Sequence, residues 1–325
     1  MSSPESKSKR FLSIFDLTHL PTPKWLIEGM FEVNSLVMLA GPPKNYKSFL
    51  VIDWALSLAS GRKWQGRAVS PSKVLYVLGE GKSNLLKRIQ AWDCYHQLAP
   101  EEAAILNDNF RVSFEVPQLA MKSSVDNMLA GLEAENFSPD VIVIDTFARS
   151  FVGLDENSQK DTGLWIESAD RLRQLGYTVI FLHHTAKSTE FGLKYRGSSA
   201  IMGAMDTAFT LQKNYKDPNE SILTCPSQKD HDEGQPLYFQ RLIVRPNPGV
   251  EGSIVLVPAV RVDERFTVEF QEQERKIEDH IEVLLADSTF ESNRARGREL
   301  ARLTGMKEDA AIKRVERRKR KINEE

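Results

Sequence analysis

Residues 36–56, LVMLAGPPKNYKSFLVIDWAL, decide how this chain folds. A phosphate-binding loop reads Gly, four residues, then Gly-Lys-Ser or Gly-Lys-Thr. Gly41, Lys47 and Ser48 fit, and Tyr46 stands where the last glycine belongs. That spacing recurs by chance in many chains, so its weight comes from context. The apolar run 35–40 reads as a buried strand, and SFLVIDWALSLAS from Ser48 reads as a helix ending before Gly61. In that strand, loop, helix order, successive N–H groups and a helix N-terminus can surround phosphate oxygens. The candidate contacts are therefore Gly41, Pro42, Pro43, Lys44, Asn45, Tyr46, Lys47, Ser48 and Phe49. Pro42 and Pro43 remove two donors but stiffen the loop. Glycine accepts backbone angles that a tyrosine dislikes, so the loop is expected to work with an ordinary negative φ at Tyr46.

The alternation continues outward. Runs suited to buried strands recur at 73–79, 110–114, 140–145 and 178–184, and helix patterns lie at about 48–60, 83–98, 122–136 and 160–175. Short β-rich runs alternating with helices predict an α/β fold with a mostly parallel sheet covered on both faces. After residue 205 the runs TAFTLQ, SILTC, LYFQRLIV and SIVLVPAV are separated by turn signals, which predicts antiparallel hairpins extending that sheet.

Composition bounds the class. The chain has 325 residues, 41% of them hydrophobic, enough for a large domain plus a small one. Its polar start, MSSPESKSKR, and strand-sized apolar runs predict neither export nor a membrane span, and hence a cytoplasmic protein. Cys94 and Cys225 lie far apart, outside any CxxC or Cys/His cluster, so neither a disulfide framework nor a structural zinc site is indicated. The net charge of −2 gives no overall pull towards nucleic acid, yet residues 294–321 hold 12 Lys/Arg against 4 Asp/Glu.

An ATP site with Mg²⁺ needs a carboxylate at a neighbouring strand end, and Asp145 closes DVIVID in that position. With the Ser48 hydroxyl it forms the expected metal contact. Lys47 would reach the β and γ phosphates. Glu80, in LYVLGEG, is placed to act as the base that orients the attacking water. His183 and His184 end the run 178–184; such histidines are often merely packed, but one at this edge could meet the γ phosphate.

Four stretches in this order, GPPKNYKSFLVIDWALSLASGRKWQGR, VLYVLGEG, DVIVIDTFARSF and VIFLHHTAKS…YRGSSAIMGAMD, resemble the RecA-like P-loop ATPases of the RepA type, hexameric replicative helicases of plasmids and phages. The likeness spans about residues 20–260. It implies an ATP-hydrolysing ring on single-stranded DNA, with Lys47 on the phosphates, Ser48 and Asp145 on Mg²⁺, Glu80 as catalytic carboxylate and His184 near the γ phosphate. Arg196 is implied as an arginine finger donated in trans within a homo-oligomer, a hexamer in that family. Tyr46 is the departure.

In such rings two channel loops follow the fourth and fifth strands, here residues 147–161 and 186–195. The second offers Lys187, Phe191, Lys194 and Tyr195, positive charge interleaved with aromatics. The predicted division is a tail, 1–19, an ATPase domain, 20–262, a linker, 263–276, and a basic helix-turn-helix or winged-helix-like module, 277–325. Its helices are expected at 277–287, 296–303 and 307–320, with Leu300, Leu303, Ala311, Ile312 and Val315 as core. The last helix carries Lys313, Arg314, Arg317, Arg318, Lys319 and Arg320, a charge suited to duplex DNA. Two functions remain open on these residues: a DNA motor, or an ATP-switched DNA-binding regulator or loader that unwinds nothing.

Overall fold

The computed structural model describes residues 11–19, 22–155, 158–185, 199–214, 217–229, 231, 234–247, 249, 251–259 and 268–324. The chain divides into two compact units, Met1–Ala259 and Val260–Glu325.

The first unit opens with a short helix α1 (Ile14–Thr18) and a small antiparallel pair, β1 (Trp25–Ile27) and β2 (Phe31–Glu32). Then follow β3 (Leu36–Gly41), α2 (Lys47–Ser60), β4 (Val74–Leu78), α3 (Leu85–His96), α4 (Pro100–Asn109), β5 (Phe110–Ser113) and α5 (Lys122–Ala134). After β6 (Val141–Asp145) comes a 3₁₀ turn, Phe147–Ser150, then α6 (Gln159–Gln174), β7 (Thr178–His184), α7 (Ser199–Ala204), β8 (Thr207–Lys213), β9 (Glu220–Gln228), β10 (Leu237–Val244) and β11 (Ser253–Pro258). Nine strands form one sheet in the order β11-β10-β9-β8-β3-β7-β6-β4-β5. The strands from β8 to β5 pair in parallel, while β9, β10 and β11 add an antiparallel extension beyond β8. This is the α/β layout with a mostly parallel central sheet expected from the sequence, hairpin extension included. The strands and helices predicted in this unit fall within about three residues of the observed ones; α1, β1, β2, α4 and α7 lie outside the prediction, α4 because its polar sequence shows no clear apolar stripe.

The central strands are buried on both faces, and their side chains sort by parity. Val37, Leu39, Val141, Val143, Ile180 and Leu182 join the core under α2 and α3. Leu36, Met38, Ile142, Ile144, Val179 and Phe181 join the core under α5 and α6, around Trp165 and Leu172. Helix α2 is almost wholly buried and ends at Gly61, whose left-handed φ of 74° closes the helix as expected.

One carboxylate lies inside the first core. Asp53 of α2, 3% exposed, accepts hydrogen bonds from the indole N–H of Trp64 (2.7 Å) and of Trp92 (2.6 Å). It thereby ties α2 to α3.

In the second unit, α8 (Val268–Ala286), α9 (Asn293–Thr304) and α10 (Glu308–Glu324) pack around Ile277, Ile281, Leu284, Leu300, Ala311 and Val315. Helix α8 begins inside the stretch 263–276 that was read as a linker. Gly305 turns the chain with φ 71°, where the sequence placed a turn. Leu303 is 44% exposed and does not belong to the core assigned to it. The inward stripe of α9 runs through Gly297, Leu300, Ala301 and Thr304, and Leu303 projects beside it. Gly297 is needed there, since a Cβ would lie 2.4 Å from Cγ1 of Ile312. No strand occurs among the described residues of this unit, so the module is helical without a visible wing.

Replacing Asp53 with Ala strands two buried indole donors. Unfolding in urea is expected to show a loss of about 3 kcal/mol, from charge-assisted hydrogen bonds worth roughly 1.5–3 kcal/mol each.

Candidate nucleotide site

The register of the parallel strands gathers the predicted residues at the carboxyl edge of the sheet. Gly41 pairs with His184 across β3 and β7, and Leu78 pairs with Asp145 across β4 and β6. The loop after β3, the turn after β4 and the ends of β6 and β7 therefore open side by side, as ligand sites in open α/β sheets do.

Lys47 opens α2 and is 4% exposed. Its ammonium donates to the carbonyls of Gly41 (2.8 Å) and Pro42 (3.0 Å) and lies 3.1 Å from Nδ1 of His184, which accepts in the tautomer protonated at Nε2. Burial lowers the Lys47 pKa to about 8, a fall that the charge of Asp145 opposes. Asp145, 2% exposed, is pushed above the ordinary carboxylate range by burial, while hydrogen bonds from Ser48 and Tyr76 and the charge of Arg88 pull it down. Tyr76 Oη donates to Asp145 Oδ2 at 3.0 Å, and burial raises its own pKa. Glu80 lies beyond β4, half-exposed, with Oε1 accepting from Nε of Arg149 at 3.0 Å. Gly79 permits that pairing: a Cβ there would meet Cγ of Arg149 at 2.8 Å.

Residues 41–48 form the candidate cradle. Among the described residues, no hydrogen bond engages the main-chain N–H of Lys44, Asn45, Tyr46, Lys47 or Ser48. Five free donors beside a buried cation at a helix N-terminus suit an anion. The Thr146 and Thr185 hydroxyls, at the ends of β6 and β7, are also buried without a partner. Phosphate groups fit this donor set. Gly41 has to be glycine, because a Cβ would sit 2.2 Å from the carbonyl oxygen of Leu211.

Tyr46 corrects the expectation of a negative φ: its φ is 63° and its ψ 17°, in the left-handed region, and Lys44 has φ 62°. The loop takes this conformation although a tyrosine occupies the position. A left-handed non-glycine residue costs about 1–2 kcal/mol. The Tyr46 ring lies under Arg241 (5.0 Å) and Lys213 (5.2 Å), beside Phe49 (6.0 Å), and its hydroxyl accepts from Arg241. Two cation–π contacts at roughly 0.5–1 kcal/mol each and one hydrogen bond of about 1 kcal/mol offset the cost.

The structure thus brings Gly41, Lys47, Ser48, Glu80, Asp145 and His184 together, and Phe49 stands next to them under the Arg88 guanidinium (4.6 Å). Pro43 and Lys44 are exposed at the loop tip. His183 is packed, 3% exposed, with its ring edge-on to Phe147 at 4.9 Å. Arg196, Lys187, Phe191, Lys194 and Tyr195 lie outside the described residues. In the stretch 147–161, expected as a channel loop, Phe147 and Phe151 are buried and stacked at 5.2 Å, so these aromatics serve the core. Lys313, Arg317 and Arg320 are exposed on α10, Arg314 is half-buried, and Arg318 pairs with Glu282. Sequence reading missed Tyr76, Arg149, Arg88, Lys213 and Arg241; only Tyr76, a hydroxyl inside an apolar run, carried a signal. Among the described residues no group of three or more His, Cys, Asp or Glu could hold a metal by itself, and no helix is long and apolar enough to cross a membrane.

A family model described as an AAA domain matches residues 2–190. Among solved structures the chain is similar to a KaiC-like protein from the hyperthermophilic archaeon Pyrococcus horikoshii OT3, at 17% identity and a TM-score of 0.48, covering 72% of this chain and 94% of that one. It is also similar to the RadB recombinase, at 17% identity and a TM-score of 0.43, covering 64% of this chain and 87% of that one. No curated protein matches the sequence.

Buried Lys47 has a consequence for stability. Between pH 8 and 10.5 the unfolded chain holds a proton that the folded one has released, so stability gains from this residue as pH rises, and below pH 8 its burial penalty applies in full. Ligand-free Lys47→Met is therefore expected to be more stable than wild type at pH 7 in chemical denaturation, with the difference shrinking towards pH 10.5.

Proposed function

The chain belongs to the AAA domain family, and from that premise we propose that it is an ATP-hydrolysing motor that assembles as a ring and acts on single-stranded DNA. The observation carrying the ATPase part is the convergence of Lys47, Ser48, Asp145, Glu80 and His184 on one sheet edge around a loop with free N–H groups.

In this reading Lys47 leaves its loop carbonyls for the β and γ phosphates. The free N–H groups of residues 44–48 hold the phosphate oxygens. Mg²⁺, when bound, supplies charge neutralisation of those oxygens, and Ser48 and Asp145 are the residues that would hold it. Tyr76, by donating to Asp145, keeps that carboxylate turned into the site. Glu80 orients a water and takes its proton, and His184, next to Lys47, senses the terminal phosphate. Arg196 from a neighbouring copy completes the site as a finger. The DNA contacts proposed are Lys187, Lys194 and Tyr195 for the single strand and Lys313, Arg314, Arg317, Arg318 and Arg320 for duplex.

A second reading, an ATP-switched DNA-binding regulator or loader, is favoured by one observation: Glu80 is engaged by Arg149 and would need release before acting on water, as suits slow basal turnover.

Steady-state ATP turnover without DNA, with single strands and with duplex tests the proposal. Stimulation by single strands is expected, with Lys47→Ala abolishing turnover and Glu80→Gln lowering it about 10²–10⁴-fold while leaving ATP binding intact. Turnover indifferent to single strands, together with absent strand displacement, would leave the switch instead. Undetectable ATP binding by the wild-type chain would sink both.

A further inference from the structure

We propose that Arg241, on β10, is a positioning residue for phosphate binding, acting through Tyr46 to hold the left-handed turn that aims the loop's N–H groups. The proposal rests on the reading of residues 41–48 as a phosphate cradle.

Glycine enters the left-handed region at no steric cost, so a loop with glycine in this position needs no outside support. Tyrosine does not, and at φ 63° its side chain must supply what its backbone loses. The side chain goes to the antiparallel extension. Nη1 of Arg241 donates to Tyr46 Oη, and the guanidinium covers the ring at 5.0 Å. Arg241 is not a mobile surface cation. Its Nη2 donates to the Pro218 carbonyl and to Asn219 Oδ1, both at 2.6 Å, and its Nε reaches the Asn219 carbonyl at 3.4 Å. The fork is thus fixed to the turn between β8 and β9, and these strands are locked in register with β10, Gln240 opposite Glu220 and Lys213 opposite Ser221. Lys213, from β8, lies over the same ring.

The next residue after Tyr46 is Lys47, and among the described residues neither main-chain N–H has a partner. Whatever fixes the backbone of residue 46 therefore aims both donors and sets where Lys47 leaves the helix. The β8–β10 extension serves as an external brace for a loop that lacks its glycine.

The test is a double-mutant cycle on the full chain: wild type, Arg241→Gln, Tyr46→Gly and both together, with ADP affinity measured by calorimetry and unfolding midpoints measured without nucleotide. In the tyrosine background Arg241→Gln is expected to weaken ADP binding about tenfold, the equivalent of about 1.4 kcal/mol. In the Tyr46→Gly background the same change is expected to alter affinity less than about twofold, because additivity fails between coupled sites. The unfolding midpoints should show the same dependence on the tyrosine. Arg241→Lys, which keeps the charge without the fork, should behave like Arg241→Gln. Equal losses in both backgrounds, or full rescue by lysine, would mean that Arg241 acts on the nucleotide through charge alone and would overturn the proposal while leaving the nucleotide reading standing. Absence of ADP binding by the wild-type chain would overturn that reading, and this proposal with it.

Discussion

Parallel pairing of β3 with β7, in the register that sets Gly41 beside His184, is the contact on which the site depends. With β4 and β6 paired so that Leu78 meets Asp145, four strand ends finish at one level. A slip of one residue would turn each strand's side chains to the opposite face. It would exchange the two cores and carry Asp145 and His184 away from Lys47. The register is held by strict parity of apolar side chains, since both faces of each central strand are buried.

On this edge the electrostatics suit an anion. Lys47 is buried on carbonyls of its own loop, with its pKa lowered, and Asp145 is buried with its pKa raised, each disfavoured as a charged group by the same desolvation. Hydrogen bonds from Ser48 and Tyr76 keep the carboxylate oriented despite that cost. Groups shifted by burial beside a specific charged partner in a cleft are what catalytic and binding sites use.

Tyr46 shows how a fold retains a strained backbone without its usual residue. Tyr46 keeps a left-handed turn against its own preference, and the cost is returned by contacts with Arg241, Lys213 and Phe49. Glu80 follows similar logic: Gly79 gives up its side chain so that Arg149 can reach the carboxylate.

The sequence by itself determined the order of strands and helices, the antiparallel extension, and Gly41, Lys47, Ser48, Glu80 and Asp145 as the candidate residues at the strand ends. These were legible because burial on two faces demands unbroken apolar runs, and because a phosphate cradle imposes fixed local spacing. Only the tertiary structure decided which side chains hold those residues in place. Arg149 is 69 positions from Glu80, Tyr76 is 69 from Asp145, and Arg241 is 195 from Tyr46. It likewise separated His184, beside Lys47, from His183, packed on Phe147, and turned Leu303 out of the helical core. No local spacing encodes such pairs, because they arise from strand order and from the packing of elements distant along the chain.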